Sequence, residues 1–225
     1  MLWKREAGMA RAKALKSDIS IEAVLEAALE LFSSQGYGAT SMRQIAEKAS
    51  VSVGNIYHHF KNKEVIFQRL LDRYWEVVLD PKLKLNRIFS KAEFPDDLED
   101  LAEAIEEVVN SHSRKILLIY VDVIEFRGAH IRKFYETMAD RFAEKYGKNL
   151  SERREKGELA GGDPLVGVML AVRWFFYFFT VEKSFGVPMH FGMDNRQAIG
   201  EFIKIMRYGV LPRGNDDGQS QKLHG

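Results

Sequence analysis

Residues 40–63, reading TSMRQIAEKASVSVGNIYHHFKNK, constrain the chain more than any other stretch. Ser41 followed by Gln44 is a capping-box pair, in which a hydroxyl and a side-chain amide satisfy backbone N–H groups that a helix start leaves without partners. A helix is therefore predicted from Ser41, with Ile45, Ala46 and Ala49 on one face and Ala46 small enough for a second helix to cross closely. Ser50-Val51-Ser52 leaves room only for a turn, and Ser52 is placed to cap a second helix that starts with Val53 and Gly54. Val51 and Ile56 complete a small core with the first helix, and Phe60 points the same way. Ser52, Val53, Asn55, Tyr57 and His58 face outward, a surface of short polar groups, a valine and an aromatic hydroxyl that suits base edges and phosphates. The pattern is that of two short helices joined by a tight turn, the second placed to enter a DNA groove. A bare pair of short helices is also an ordinary hairpin, so the flanking residues have to decide.

They do so by resemblance. The run G-N-I-Y-H-H-F-K-N-K-E, the preceding TSMRQIAEKA helix and an earlier helix ending LFSSQGY together resemble the helix-turn-helix domain of the tetracycline-repressor (TetR) family of bacterial transcription regulators. The likeness covers about the first third of the chain, and its coincident positions make it far more specific than a lone motif. It implies a homodimer that binds a palindromic DNA operator, most commonly as a repressor released by a small molecule. Where the family commonly has glycine in the turn, this chain has Ser50, and a left-handed turn residue other than glycine carries modest strain. Ser41 and Arg43, with Tyr57, Lys61 and Lys63, are expected on phosphates; Ser52, Val53, Gly54, Asn55 and His58 are expected nearest the bases. Lys63 sits where family members touch phosphate.

Net charge is only +1 over 225 residues, so the distribution of charge matters more than its total. Lys4, Arg5, Arg11, Lys13 and Lys16 outweigh Glu6 at the amino terminus, and Arg43, Lys48, Lys61 and Lys63 outweigh Glu47 in the motif, while Glu22, Glu26 and Glu30 make the helix between them acidic. Both basic segments are suited to phosphates. With no cysteine there is no disulfide, thiolate metal site or cysteine nucleophile. The opening residues are basic but lack an apolar h-region, so no secretory signal is read and a cytoplasmic location is expected. None of the six histidines has a glutamate three residues before it, and phosphate-binding glycine loops and nucleophile elbows are absent. Neither enzyme, cofactor nor metal is expected.

Taken in order, the chain predicts an all-α fold: an N-terminal three-helix helix-turn-helix DNA-binding domain with a basic arm (residues 1–62), joined by a linking helix to a larger helical effector-binding and dimerisation domain (residues 63–212), with a disordered tail (residues 213–225). Ser20 caps a first helix carrying Ile21, Val24, Leu25, Ala28, Leu31 and Phe32, which Gly36 and Gly38 end. Asn62 caps the linking helix, Lys63 to about Leu79, which Pro81 stops. Residues 82–97 read as irregular. One amphipathic helix from Leu98 ends near His112, a second runs from Ile116 to Phe126, and a third from about His130 to Lys156.

Asp163-Pro164 is a strong helix start, and the following residues are apolar on nearly all sides. A membrane span is disfavoured by the short run and by Arg173 at its middle, at about 2.5–3.5 kcal/mol on insertion scales. Leu165, Met169, Val172, Phe176 and Phe179 form one seam, and Ile199, Phe202, Ile203 and Met206 form another on a final helix capped by Asp194 and Gln197. By resemblance these two helices pair as a dimer interface; internal core is the plainer reading of both stripes. Phe89, Tyr120, Ile124, Phe126, Phe134, Trp174, Phe175 and Phe178 are candidate lining for an apolar or aromatic effector. Arg173 requires a partner, either an internal carboxylate, Asp122 or Glu125, or the acidic head of a ligand, which would favour a fatty-acid or acyl-thioester effector. The expected partners are thus double-stranded operator DNA, a second copy of the chain and an apolar small molecule, with no membrane. The alternative is an all-helical small-molecule-binding protein without DNA function, which a gel-shift on the adjacent promoter would separate.

Overall fold

A computed structural model describes residues 21–159 and 161–209, and among these all regular structure is helical. Ser20, the basic arm over residues 1–16, Val210 and the tail lie outside the described residues. Helix α1 covers residues 21–35. Helix α2 (Met42–Lys48) starts at Ser41 with both halves of the capping box formed, and α3 (Val53–His59) starts at Ser52, whose hydroxyl accepts from Asn55 N–H. Between them Ser50 adopts φ +54°, the left-handed turn expected there, and the N–H of Val51 reaches back to Ala46 C=O at 2.9 Å.

Helix α4 (Lys63–Val78), capped by Asn62, runs out of this unit. Its end leaves carbonyls without helical partners, and the buried Asn86 side chain donates to Val78 O and Asp80 O at 2.7 and 2.8 Å. Asn86 belongs to α5 (Lys84–Lys91), a helix in a segment expected to be irregular. Leu85, Ile88 and Phe89 had the required i, i+3, i+4 spacing, but eight residues are too few to be stable alone; burial against α6 and α8 supplies the missing energy.

Helix α6 (Leu98–Phe126) joins two expected helices across a kink, with His112 at φ −129°, ψ 22° where a break was anticipated. Conversely, the helix expected over residues 130–156 is divided into α7 (Arg132–Glu136) and α8 (Met138–Glu155). Thr137 separates them, its hydroxyl turned back to Lys133 O at 3.1 Å instead of out to solvent. Helix α9 (Pro164–Phe179) begins on the Asp163 cap, passes into a π-helical turn (Thr180–Ser184), and α10 (Asn195–Tyr208) begins on the Asp194–Gln197 capping box. The run Pro164–Ser184 has the length and apolarity of a membrane span, yet Val168, Ala171, Phe175, Phe178 and Phe179 are buried inside the protein and α9 packs between α6 and α8.

Two apolar cores result. The first joins α1–α3 to Ile66, Phe67, Leu70 and Leu71 of α4, and also takes Leu118 of α6 and Ile131. The second lies among α5, α6, α8, α9 and α10. Trp75 and Ile119 pack against both, so the first core extends past residue 63 into the linking helix and the carboxyl half of α6.

Candidate functional site

The outward face of the helix-turn-helix is built as its spacing predicts. Ile45 and Ile56 are fully buried and Phe60 nearly so, which fixes the crossing of α2 and α3 and leaves Arg43, Ser52, Gly54, Tyr57, His58 and Lys61 exposed. Val53 and Asn55 are partly covered. The hydroxyls of Ser41 and Ser52 cap their helices, yet both residues remain exposed at those N-termini, where backbone N–H groups favour anions. Lys48 is held by Glu30 of α1 at 2.6 Å, whereas Arg43 and Lys61 have no ion pair among the described residues. The other acids of α1 are also used internally: Glu22 takes Arg73 of α4, and Glu26 takes Arg114 of α6.

Lys63, expected on a phosphate, is turned inward in this structure. Its Nζ donates to Tyr37 O and Thr40 O, each at 2.6 Å, and lies 4.0 Å from the Tyr37 ring centroid. Burial pulls its pKa below the ordinary lysine value. The same loop is gripped from the other side by Glu125 of α6, whose carboxylate accepts from Tyr37 N–H at 2.7 Å and Gly38 N–H at 2.5 Å. Gly36 has φ +87°, which favours glycine, while a Cβ on Gly38 would lie 2.9 Å from Glu125 Oε2, so that the carboxylate would have to shift. A cation from α4 and an anion from α6 thus clamp residues 37–40, which lead into α2.

Beside the clamp, Asp122 is completely buried and hydrogen-bonds to His130 Nδ1 and Ile131 N–H, while His130 Nε2 stands 3.6 Å from Glu64 of α4. Both carboxylates considered as partners for Arg173 are therefore committed elsewhere. Arg173 has a long contact to Met138 Sδ, 3.7 Å, and no carboxylate partner among the described residues.

A cavity of about 700 Å³ opens in the larger domain. Its walls are Tyr74, Trp75 and Val78 of α4 and the Leu79 that follows it, Leu85 and Phe89 of α5, Ile116, Ile119, Tyr120 and Val123 of α6, and residues of α7, α8 and α9. Phe89, Tyr120, Phe134 and Arg173 line it as anticipated; Phe134 stacks on Trp75 with centroids 3.9 Å apart. Five expected lining residues do not. Ile124 points to solvent at 78 % exposure. Phe126 stacks on Phe67 in the first core. Phe175 and Phe178 are buried in the second core, and Trp174 lies flat on Phe202 of α10 at 3.9 Å. Trp75, Tyr135, Arg141 and Lys145 were missed, although Met138, Arg141, Phe142 and Lys145 keep the i, i+3, i+4, i+7 spacing of one helix face.

The residues of the expected dimer seam fall in several places. Val172 and Phe176 line the cavity, Phe179 and Ile203 are buried, and Leu165, Met169, Ile199, Phe202 and Met206 are partly buried against the second core. Instead Val166, Leu170 and Tyr177 on α9, and Ile205 and Tyr208 on α10, are the exposed apolar residues. A helix apolar all round offers no periodic mark of which stripe meets its own core.

The geometry defines a class: a three-helix DNA-binding unit mounted on a helical domain with an internal cavity. Residues 24–70 match the family model of the bacterial regulatory proteins, tetR family. Over these residues the chain is similar to that family. It is 32 % identical over 115 residues to the HTH-type transcriptional regulator AcrR of Shigella flexneri, a match covering 49 % of this chain and 51 % of the relative, so the chain spans about half of that relative's length. Similarity to the HTH-type transcriptional regulator YfiR of Bacillus subtilis is 27 % over 150 residues, covering 64 % and 70 % of the two chains. The whole fold resembles that of AibR, solved in complex with isovaleryl coenzyme A and operator DNA, with a TM-score of 0.59 at 18 % identity over 83 % of this chain and 97 % of that one. It also resembles the MbdR regulator from Azoarcus sp. CIB, with a TM-score of 0.58 at 17 % identity over 86 % and 100 % of the chains. AcrR, YfiR and MbdR are each named as regulators.

Proposed function

We propose that this protein is a cytoplasmic, homodimeric, ligand-responsive transcriptional repressor that binds a palindromic operator and is released by a small molecule with an apolar body. The observation that carries the coupling is that α4 and α6 do two jobs at once. They wall the cavity through Tyr74, Trp75, Ile119 and Tyr120, and they hold residues 37–40 through Lys63 and Glu125. A ligand that spreads the two helices displaces the start of α2, and with it the pairing of two recognition helices across one turn of DNA, about 34–36 Å. The ligand thereby shifts population between two dimer geometries. The complex of AibR with both a coenzyme A thioester and operator DNA supports this combination of partners in one fold. The test is fluorescence anisotropy of purified protein on DNA upstream of its own and neighbouring genes. Binding that weakens steeply with salt is expected; no binding beyond that to random DNA overturns the reading.

The exposed apolar residues of α9 and α10 supply the subunit contact. Leu170, 55 % exposed, is the clearest probe because it contributes little to its own protomer's core. Leu170→Asp is expected to turn the dimer into a folded monomer by analytical ultracentrifugation and to reduce operator binding with it. A dimer that survives this substitution would place the interface elsewhere.

A further inference from the structure

The cavity carries a charge pattern that an apolar effector alone leaves without use. Arg141, Lys145 and Arg173 lie among its lining residues, and among the described residues no aspartate or glutamate does. Among the described residues none of the three has an ion pair; Arg141 lies 5.7 Å from the Phe134 ring, and Arg173 only approaches Met138 Sδ. Arg141 and Lys145 are i, i+4 neighbours on α8, an arrangement that destabilises a helix when both are cations. Arg173 projects from α9, which packs on α8, and its charge reaches Tyr135, opposing the rise that burial gives that phenol's pKa. The remainder of the wall is aromatic and aliphatic: Trp75, Phe89, Ile116, Ile119, Phe134, Phe142 and Phe176.

We infer that the effector is an organic anion, with its apolar body among these rings and its carboxylate or phosphate groups held by Arg141, Lys145 and Arg173. The inference rests on the reading of the cavity as an effector site, and it specifies what kind of molecule fills it. An anion placed there relieves the like-charge crowding and gains charge-assisted hydrogen bonds beside the apolar wall. Guanidinium groups from two helices would grip one head from two directions, drawing α8 and α9 together. An uncharged molecule of the same shape gains neither.

The experiment compares decanoate, decanoyl coenzyme A and uncharged 1-decanol by isothermal titration calorimetry on the full-length protein and on the double variant Arg141→Gln, Arg173→Gln. At least one anion should bind about tenfold or more tightly than the alcohol, and the double variant should bring it down to the level of the alcohol while leaving the alcohol unchanged. Preference for decanoate identifies a free acid as the effector class; preference for decanoyl coenzyme A alone places its phosphates on the cations. Without ligand, the double variant should melt at the same or a slightly higher temperature, because it removes repulsion; cations that served only to hold the fold would lower it. Equal affinity for acid and alcohol, anion binding indifferent to the variant, or no binding of any probe overturns the inference. Salt-sensitive promoter binding is measured separately, so a regulator with an uncharged effector is distinguished from a chain that is not a regulator.

Discussion

Tyr57→Ala weakens operator binding by about 100-fold and leaves the melting temperature unchanged. Tyr57 is 54 % exposed on the outward face of α3, while Ile56 and Phe60, its buried neighbours, hold the helix in place. Truncating the ring therefore removes contact surface without opening a cavity in the first core. A hydrogen bond from the phenol to a phosphate is worth about 1.5 kcal/mol at the low end for a charged acceptor. A palindromic site meets two copies, so the dimer loses about 3 kcal/mol, or roughly two powers of ten in affinity. Anisotropy titrations at fixed salt, with thermal denaturation of the same samples, provide both readings. Wild-type affinity in the variant would remove Tyr57 from the interface and with it the orientation of α3 assigned above.

Lys63→Met produces the opposite division of effects. The wild-type ammonium satisfies two backbone carbonyls, Tyr37 O and Thr40 O, and lies over the Tyr37 ring. Methionine keeps much of the stem but leaves both acceptors without their donor, at a cost of about 2–3 kcal/mol. For a chain of this size that is about 4–12 °C in melting temperature. Operator affinity falls as well, because the loop that positions Ser41 and α2 is left with only the Glu125 half of its clamp. A lysine on a phosphate behaves differently: its loss reduces the salt dependence of binding by about one ion per subunit, about two for the dimer, and leaves the fold alone. Lys61→Met, an exposed neighbour, is the matched control and should follow that second pattern. If Lys63→Met also follows it, with unchanged melting, the inward clamp is wrong.

The two substitutions show where sequence pattern reaches and where it stops. Capping chemistry is local, and so Ser41, Ser52, Asn62, Asp163 and Asp194 each start a helix in the structure where their spacing to the next residues demands it. Ser50 takes the left-handed turn for the same reason, since residues 46–51 alone decide that geometry. Which stripe of α9 faces inward is not local. Phe134 and Trp174 are similar side chains in similar helices, yet one lines the cavity and the other lies against Phe202. The partner of Arg173 was equally out of reach, because Asp122 and Glu125 are claimed by His130 and by the backbone of residues 37–38, nearly ninety positions away in the second case.

The sequence by itself determined an all-α chain, the helix-turn-helix and its exposed face, because period, caps and turn residues act over a few positions. Only the tertiary structure decided that Lys63 turns inward, that α6 reaches back to hold the first domain through Glu125, and that three cations meet at one cavity. Each of those depends on groups far apart in the chain arriving at the same place, and what an ionised side chain does is set by which opposite charge or carbonyl is already there.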